Sequence, residues 1–303
     1  MIYKMLADLA TKTRAPLFDN PSNWGLAYDD VEFKASDGVT LRGWLVNPGQ
    51  KKVIIQSHFG LFSSRAGYTN EEKPRLMRAW PTDIPFLKHI KAFAEQGYTT
   101  LAYDLRNHGE SEEGPSEYSC DGQAEYQDVQ AAVRFVTSHP DYVDALIGML
   151  DICMGSSAMA LAHGVPDGLE HVDNIKAHAV IQPLYSGMWL RQMRIPEFMI
   201  RGAVKHSVKR GGVNFDIAPI DRVKLINKPT MLIQNKNDPI ADMDYIRKYY
   251  DELQVEKEMV WTDVGKSRID GYADLTEHPE KVIEWFGRYV HHDEQIELAV
   301  EHG

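Results

Sequence analysis

Two cysteines in 303 residues, Cys120 and Cys153, are too few for a disulfide framework and fit a reducing compartment. No stretch approaches 18 uncharged apolar residues, which excludes a membrane-spanning helix, and the opening MIYKMLADLATKTRAP lacks the apolar run of a secretory signal. Positive charge is in short supply, with 33 Lys and Arg against 44 Asp and Glu, a formal net charge of −11. A nucleic-acid backbone would be repelled over most of such a surface, so no nucleic-acid partner is expected. C-x-x-C, H-E-x-x-H, P-loop and G-x-G-x-x-G patterns are all missing, which removes the zinc, phosphate-loop and dinucleotide readings. Neither a metal nor a cofactor is expected. There is no internal repeat, no low-complexity tract and no Pro/Gly/Ser linker.

What is present is ordinary for a globular chain: 43% hydrophobic and 25% charged residues. A chain of this length buries roughly 75% of the surface its unfolded form exposes, enough for a large core without staples. One domain over 1–303 is expected, in the cytoplasm and without a membrane partner, with a symmetric homodimer as the default assembly.

The alternation in VEFKAS, the Asp37-Gly38 turn and Val39 to Asn47 predict an antiparallel hairpin. Short, continuously apolar runs follow at Val53–Ser57, Tyr98–Asp104, Ala145–Ile152, Ala177–Pro183 and Thr230–Asn235. Such runs suit strands buried on both faces of a parallel sheet. Between them lie helical patterns at Phe86–Gln96 and Tyr126–Thr137, and a last one covers Pro279–Tyr289. The alternation predicts an α/β chain, a mostly parallel sheet with helices on both faces. About 45 residues, Leu184 to Pro229, separate two of the strands, where a crossover helix needs far fewer. They predict a small helical cap insertion at about 184–229.

Ligands bind outside the carboxyl ends of strands in an open parallel sheet, and one such end reads Asp151-Ile152-Cys153-Met154-Gly155. A strand-to-helix turn of the form G-x-nucleophile-x-G holds its central side chain up at the sheet's edge. Cys153 occupies the nucleophile position, at the N-terminus of a helix whose dipole favours a thiolate.

Nearly the whole chain resembles the α/β-hydrolase superfamily, through Ala94–Ser111 (AEQGYTTLAYDLRNHGES), Asp128–Pro140, DICMG, Lys228–Pro239 and His278–Val290. It looks most like the dienelactone-hydrolase-like branch, whose members can carry cysteine at the elbow. The resemblance implies an α/β-hydrolase fold, with Cys153 as nucleophile and Asp238 as the carboxylate that orients the base. It places an oxyanion hole at the backbone amides of Phe59 and Met154.

Two positions depart from the pattern. The register of the base histidine falls on Tyr272, in Gly271-Tyr272-Ala273-Asp274-Leu275, and the nearest histidine in sequence is His278. Asp151 replaces the first elbow glycine, a carboxylate that would oppose ionisation of the nearby thiol. His278 is the candidate base, with His58, His108 and His163 as alternatives that could approach through the fold. Arg268, Tyr272, His58 and Asp151 are candidates to line the site.

The expectation is a cofactor-free hydrolase, esterase- or thioesterase-like, cleaving an ester, thioester or lactone of a small acyl substrate through an acyl-Cys153 intermediate. The alternatives are a non-hydrolytic enzyme (an acyltransferase, lyase or cyclase) or a catalytically lapsed binding protein, both suggested by Tyr272.

Overall fold

The computed structural model describes residues 1–11, 14–60, 62–70, 82–116 and 120–291. An eight-stranded sheet runs through it in the order β1 (Tyr28–Lys34), β2 (Thr40–Val46), β6 (Thr99–Tyr103), β3 (Lys52–Ser57), β7 (Leu146–Ile152), β8 (Ile175–Ile181), β9 (Thr230–Asn235), β10 (Lys257–Thr262). Only β2 runs against its neighbours; β6 through β10 are parallel. The hairpin and all five apolar runs expected from the sequence are strands of this sheet. β10 was not foreseen: KEMVWT is a half-buried edge strand with only Val260 buried, so it lacks the apolar run that marks the others. A two-residue ribbon pairs β4 (Gly67–Tyr68) with β5 (Ile84–Pro85).

One layer holds α2 (Phe86–Glu95), α9 (Arg268–Glu277) and α10 (Glu280–Tyr289), packed over Ile54, Leu150, Ile152 and Ala179. The other holds α3 (Tyr126–Ser138), α4 (Met154–Leu161) and α8 (Met243–Glu252), over Ile55, Met149 and Val180. Neighbouring strand residues feed opposite layers because side chains alternate across the pleat. The 184–229 insertion is helical, as expected: α5 (Ser186–Gln192), α6 (Glu197–Lys209) and the short α7 (Ile220–Val223). Its first two helices share a small separate core with α1 (Ile2–Thr11), built from Leu6, Ala7, Leu190, Ile200, Ala203 and Phe215. Among the described residues no helix is long and apolar enough to cross a membrane.

Candidate active site

Cys153 stands between β7 and α4 at φ 53° and ψ −103°, a region that costs a non-glycine residue about 1–3 kcal/mol. The surroundings hold it there. Its amide donates to the Ile181 carbonyl (2.9 Å), and its own carbonyl accepts the Ser157 amide (3.2 Å) and the Ser156 hydroxyl. Two residues on, Gly155 admits no side chain, because a Cβ would lie 2.4 Å from the Ser57 carbonyl oxygen. The sharp turn therefore requires glycine where strand and helix come closest, and the thiol is left half-buried.

The segment around Tyr272 is helical, forming α9. Ser267 and Asp270 form a reciprocal capping box at its start, which fixes Arg268 in its first turn. Arg268 and Tyr272, four residues apart, share one face of the helix. The Arg268 guanidinium is buried and fully engaged: Nε donates to the Tyr272 hydroxyl (2.5 Å), Nη1 to Asp238 Oδ2 (2.5 Å) and Nη2 to the Gln182 carbonyl. Asp238 also accepts from the Ile240 amide (3.1 Å) and from Gln234 Nε2 (3.3 Å). Gln182, at the end of β8, ties the same network together by donating to the Arg268 carbonyl (2.8 Å).

Tyr272 acts electrostatically on the Cys153 thiol and stacks flat on Phe59, with centroids 4.7 Å apart and planes at 5°. Burial pushes the Tyr272 phenol well up, against the pull of Arg268, so the phenol keeps its proton. Its oxygen already accepts from Arg268 Nε, which leaves its O–H to donate toward the sulfur. Burial works against the charge on Arg268, but Tyr272, Cys153 and Asp238 outweigh it and the guanidinium holds its proton more tightly than usual. The thiol thus faces a neutral donor backed by a fixed positive charge.

Cys153, Asp238, Arg268, Tyr272 and Phe59 are brought together. Met154 heads α4 and packs beside Gly60 (a Cβ there would be 3.4 Å from its sulfur), so the chain at Phe59 meets the chain after the nucleophile. His278 is not brought in: it is exposed at the carboxyl end of α9, six residues and about 9 Å along the axis from Tyr272.

His58 is buried. Its Nε2 accepts the Leu105 amide (3.1 Å), so its proton sits on Nδ1 and is donated to the Phe59 carbonyl (2.7 Å). Burial lowers its pKa to about 4. It braces two strand ends, with the His108 ring edge-on at 5.0 Å. Burial likewise takes His108 to about 3 and His163 to about 4. All three are neutral, structural rings. Asp151 does not line the site either. Its carboxyl points into the α3–α4–α8 layer, 3.9 Å from His178 Nδ1, and burial pushes its pKa well up. Burial thus favours its neutral form, and it lies in the layer away from the thiol.

Sequence reasoning missed Gln182 and Gln234, whose positions carry no local signal. It also left the link from Arg268 to Asp238 unread, because the two are 30 residues apart.

No family model matches the chain. Its architecture is that of the α/β-hydrolase fold, and an esterase from Pyrococcus furiosus, Pf2001, superposes with a TM-score of 0.65 at 23% identity. That match covers 92% of this chain and 99% of the esterase. A dienelactone hydrolase from Anabaena variabilis follows at 0.55 and 15%, covering 88% and 99% of the two chains. Identities this low establish the fold. Among curated proteins, polyketide transferase grgF from a Penicillium species is 27% identical over 139 residues, 45% of this chain and 40% of its own length. Polyketide transferase ATR5 from Stachybotrys chlorohalonatus is 30% identical over 112 residues, 37% and 32%. The matches thus span well under half the length of these curated relatives.

Proposed function

We propose that this chain is an acyl-transfer enzyme that takes an acyl group from an ester, thioester or lactone onto Cys153 and passes it to an acceptor other than water. One observation carries the reading: an Arg268–Tyr272 pair fills the place of the base histidine and still engages the Asp238 carboxylate. Tyr272 and Arg268 set a neutral O–H donor and a fixed positive charge beside the attacking sulfur. The Cys153 sulfur forms a bond to the acyl carbon and the bond to the leaving oxygen or sulfur breaks. By the family resemblance, the oxyanion that develops would fall to the amides of Met154 and Phe59, and the leaving group takes its proton from solvent. A nucleophilic acceptor then forms its own bond to the acyl carbon, releasing the thiolate and its own proton.

A protonated phenol and an arginine cannot draw a proton from water, so hydrolysis of acyl-Cys153 is the slow branch. Hydrolysis as the main activity, the expectation led by the sequence, becomes the second reading. The likeness to polyketide transferases supports transfer, and the likeness to an esterase supports an acyl substrate.

The test is incubation with activated acyl esters and thioesters of graded length, followed by intact mass. An acyl adduct on the wild type but not on Cys153→Ala, discharged faster by amine or thiol acceptors than by water, is the expected result. An adduct that water clears as fast as any acceptor makes the protein a hydrolase. No adduct leaves a binding protein. Cys120 is the internal control, since burial pushes its thiol up and it should label more slowly with iodoacetamide than Cys153.

A further inference from the structure

Ten large apolar side chains are exposed among the described residues, and they are not scattered. Apart from Val143, every one lies at the chain's start through α1 or within 184–229. α1 turns Leu6 and Ala7 inward onto Ile200 and Ala203 of α6, and leaves Ile2 (47% exposed) and Met5 (58%), one turn apart, outside. On α6 the exposed stripe runs Phe198, Arg201, Lys205, Val208, at helical spacings of three and four, with Phe198 61% and Val208 51% exposed. The two helices abut closely enough that a Cβ on Gly202 would lie 2.4 Å from the Tyr3 ring. Ile2 and Met5 of α1 and Phe198 and Val208 of α6 are therefore exposed on two adjoining helices.

Cations are set into that surface. Residues 186–212 carry six Lys and Arg against one acidic residue, Glu197, in a chain whose net charge is −11. Arg191 is spent inside the cap on Glu197 and Asp216. Arg194, Arg201, Lys205, Lys209 and Arg210 have no carboxylate of the described residues within 4 Å. Apolar side chains flanked by exposed Lys and Arg match the interface of a bilayer, where the former enter the acyl boundary and the latter meet anionic headgroups. An isologous pairing of two caps would bring two cation-rich faces together, so charge disfavours a second copy of this chain as the occupant.

We propose that the outer face of α1 and α6 docks on anionic lipid surfaces, as a peripheral contact that spans nothing. This goes beyond the acyl-transfer reading and does not depend on it. A spanning segment would be legible as an apolar run; this patch is legible only once two helices separated by some 185 residues lie side by side.

The test is co-sedimentation of the full chain with phosphatidylcholine vesicles, with and without a third of phosphatidylglycerol, using wild type and Cys153→Ala alike. Both proteins should bind the anionic vesicles and not the zwitterionic ones, with affinity falling as salt rises. Losing a cation near such a surface costs about fivefold in affinity, so Arg201→Glu with Lys205→Glu should cost at least 25-fold. Phe198→Asp should abolish pelleting without changing the unfolding temperature or the alkylation rate of Cys153. Absence of binding to anionic vesicles overturns the proposal, as does binding indifferent to these substitutions. Concentration-dependent self-association lost in Phe198→Asp, with no vesicle binding, would overturn it in favour of a second copy.

Discussion

Two polar clusters flank the end of β7, and they differ in almost everything except depth. On one side, Arg268, Asp238, Tyr272 and Gln182 form a closed network in which each guanidinium nitrogen has an acceptor. On the other, Asp151 from β7, His178 from β8, His163 beyond α4 and Tyr249 of α8 lie within one buried region. Neither His178 nitrogen, nor His163 Nε2, nor the Tyr249 hydroxyl makes a hydrogen bond among the described residues, and Asp151 faces only the Ser57 hydroxyl and, at 3.9 Å, His178 Nδ1. The first cluster keeps its charges because they are paired. The second sheds them: burial drives Asp151 to hold its proton and takes His178 down to about 3. A buried charge that finds a partner becomes part of a site, and one that does not is neutralised.

The largest effect should come from breaking the closed network. Arg268→Met leaves Asp238 buried without its cation, and about 3–5 kcal/mol of stability should be lost in denaturant unfolding. Adding Asp238→Asn should recover much of that, since no charge is then stranded. If the double variant is as unstable as the sum of the singles, the two residues are not coupled and the network is no unit.

The open cluster should respond in the opposite direction, and pH separates its members. The folded pKa of Asp151 is raised, so its contribution to stability is present at low pH and is lost as pH climbs above the ordinary carboxylate value near 4. Asp151→Asn removes that loss, and at pH 7 the variant should be more stable than wild type by about 1–3 kcal/mol, an advantage gone by pH 4. His178 behaves inversely. Its folded pKa near 3 lies below the unfolded value of 6.5, so stability is lost as pH falls from 6.5 toward 3. In wild type the two slopes oppose each other between pH 4 and 6.5. Unfolding temperatures across that window should therefore rise with pH more steeply in Asp151→Asn than in wild type, and less steeply in His178→Asn. Parallel curves for all three proteins would mean that neither group changes its protonation on folding.

The same contrast explains how much could be read from sequence. The sheet was legible because VIIQS, YTTLAYD, ALIGMLDI, AHAVIQP and TMLIQN each announce a strand buried on both faces. KEMVWT was not, because an edge strand carries no such run. Cys153 and Asp238 could be singled out because each follows a strand within a spaced motif. His278 drew attention only by proximity in sequence, which says nothing of direction: a helix occupies the stretch and carries it away from the thiol. The replacement, Arg268 with Tyr272, was named as bordering the site but not as its core. Its logic is a salt bridge across 30 residues, and i to i+4 pairing only speaks once the segment is known to be helical. Asp151 looked like a perturbation of the nucleophile. Strand alternation puts it in the other layer, where no arginine or lysine meets it and burial decides its charge.

The smallest change sharpens the comparison most. Tyr272→Phe keeps the ring and its stacking on Phe59 and removes one oxygen, so packing is conserved while the donor to Cys153 and the acceptor for Arg268 Nε are lost. Arg268 retains Asp238 and the Gln182 carbonyl, so the stability cost should be about 1 kcal/mol, well below that of Arg268→Met. If the phenol supports the thiolate, alkylation of Cys153 at pH 7 should slow by about tenfold, the weight of one hydrogen bond to a charged group. Cys120, remote from the phenol in the chain and buried, serves as the reference thiol in the same sample. An unchanged rate at Cys153 would assign its activation to the α4 dipole and the Arg268 charge alone. The network would then be a brace for the loop ends, satisfied like any other buried polar group, and its resemblance to a catalytic relay would be one of position only.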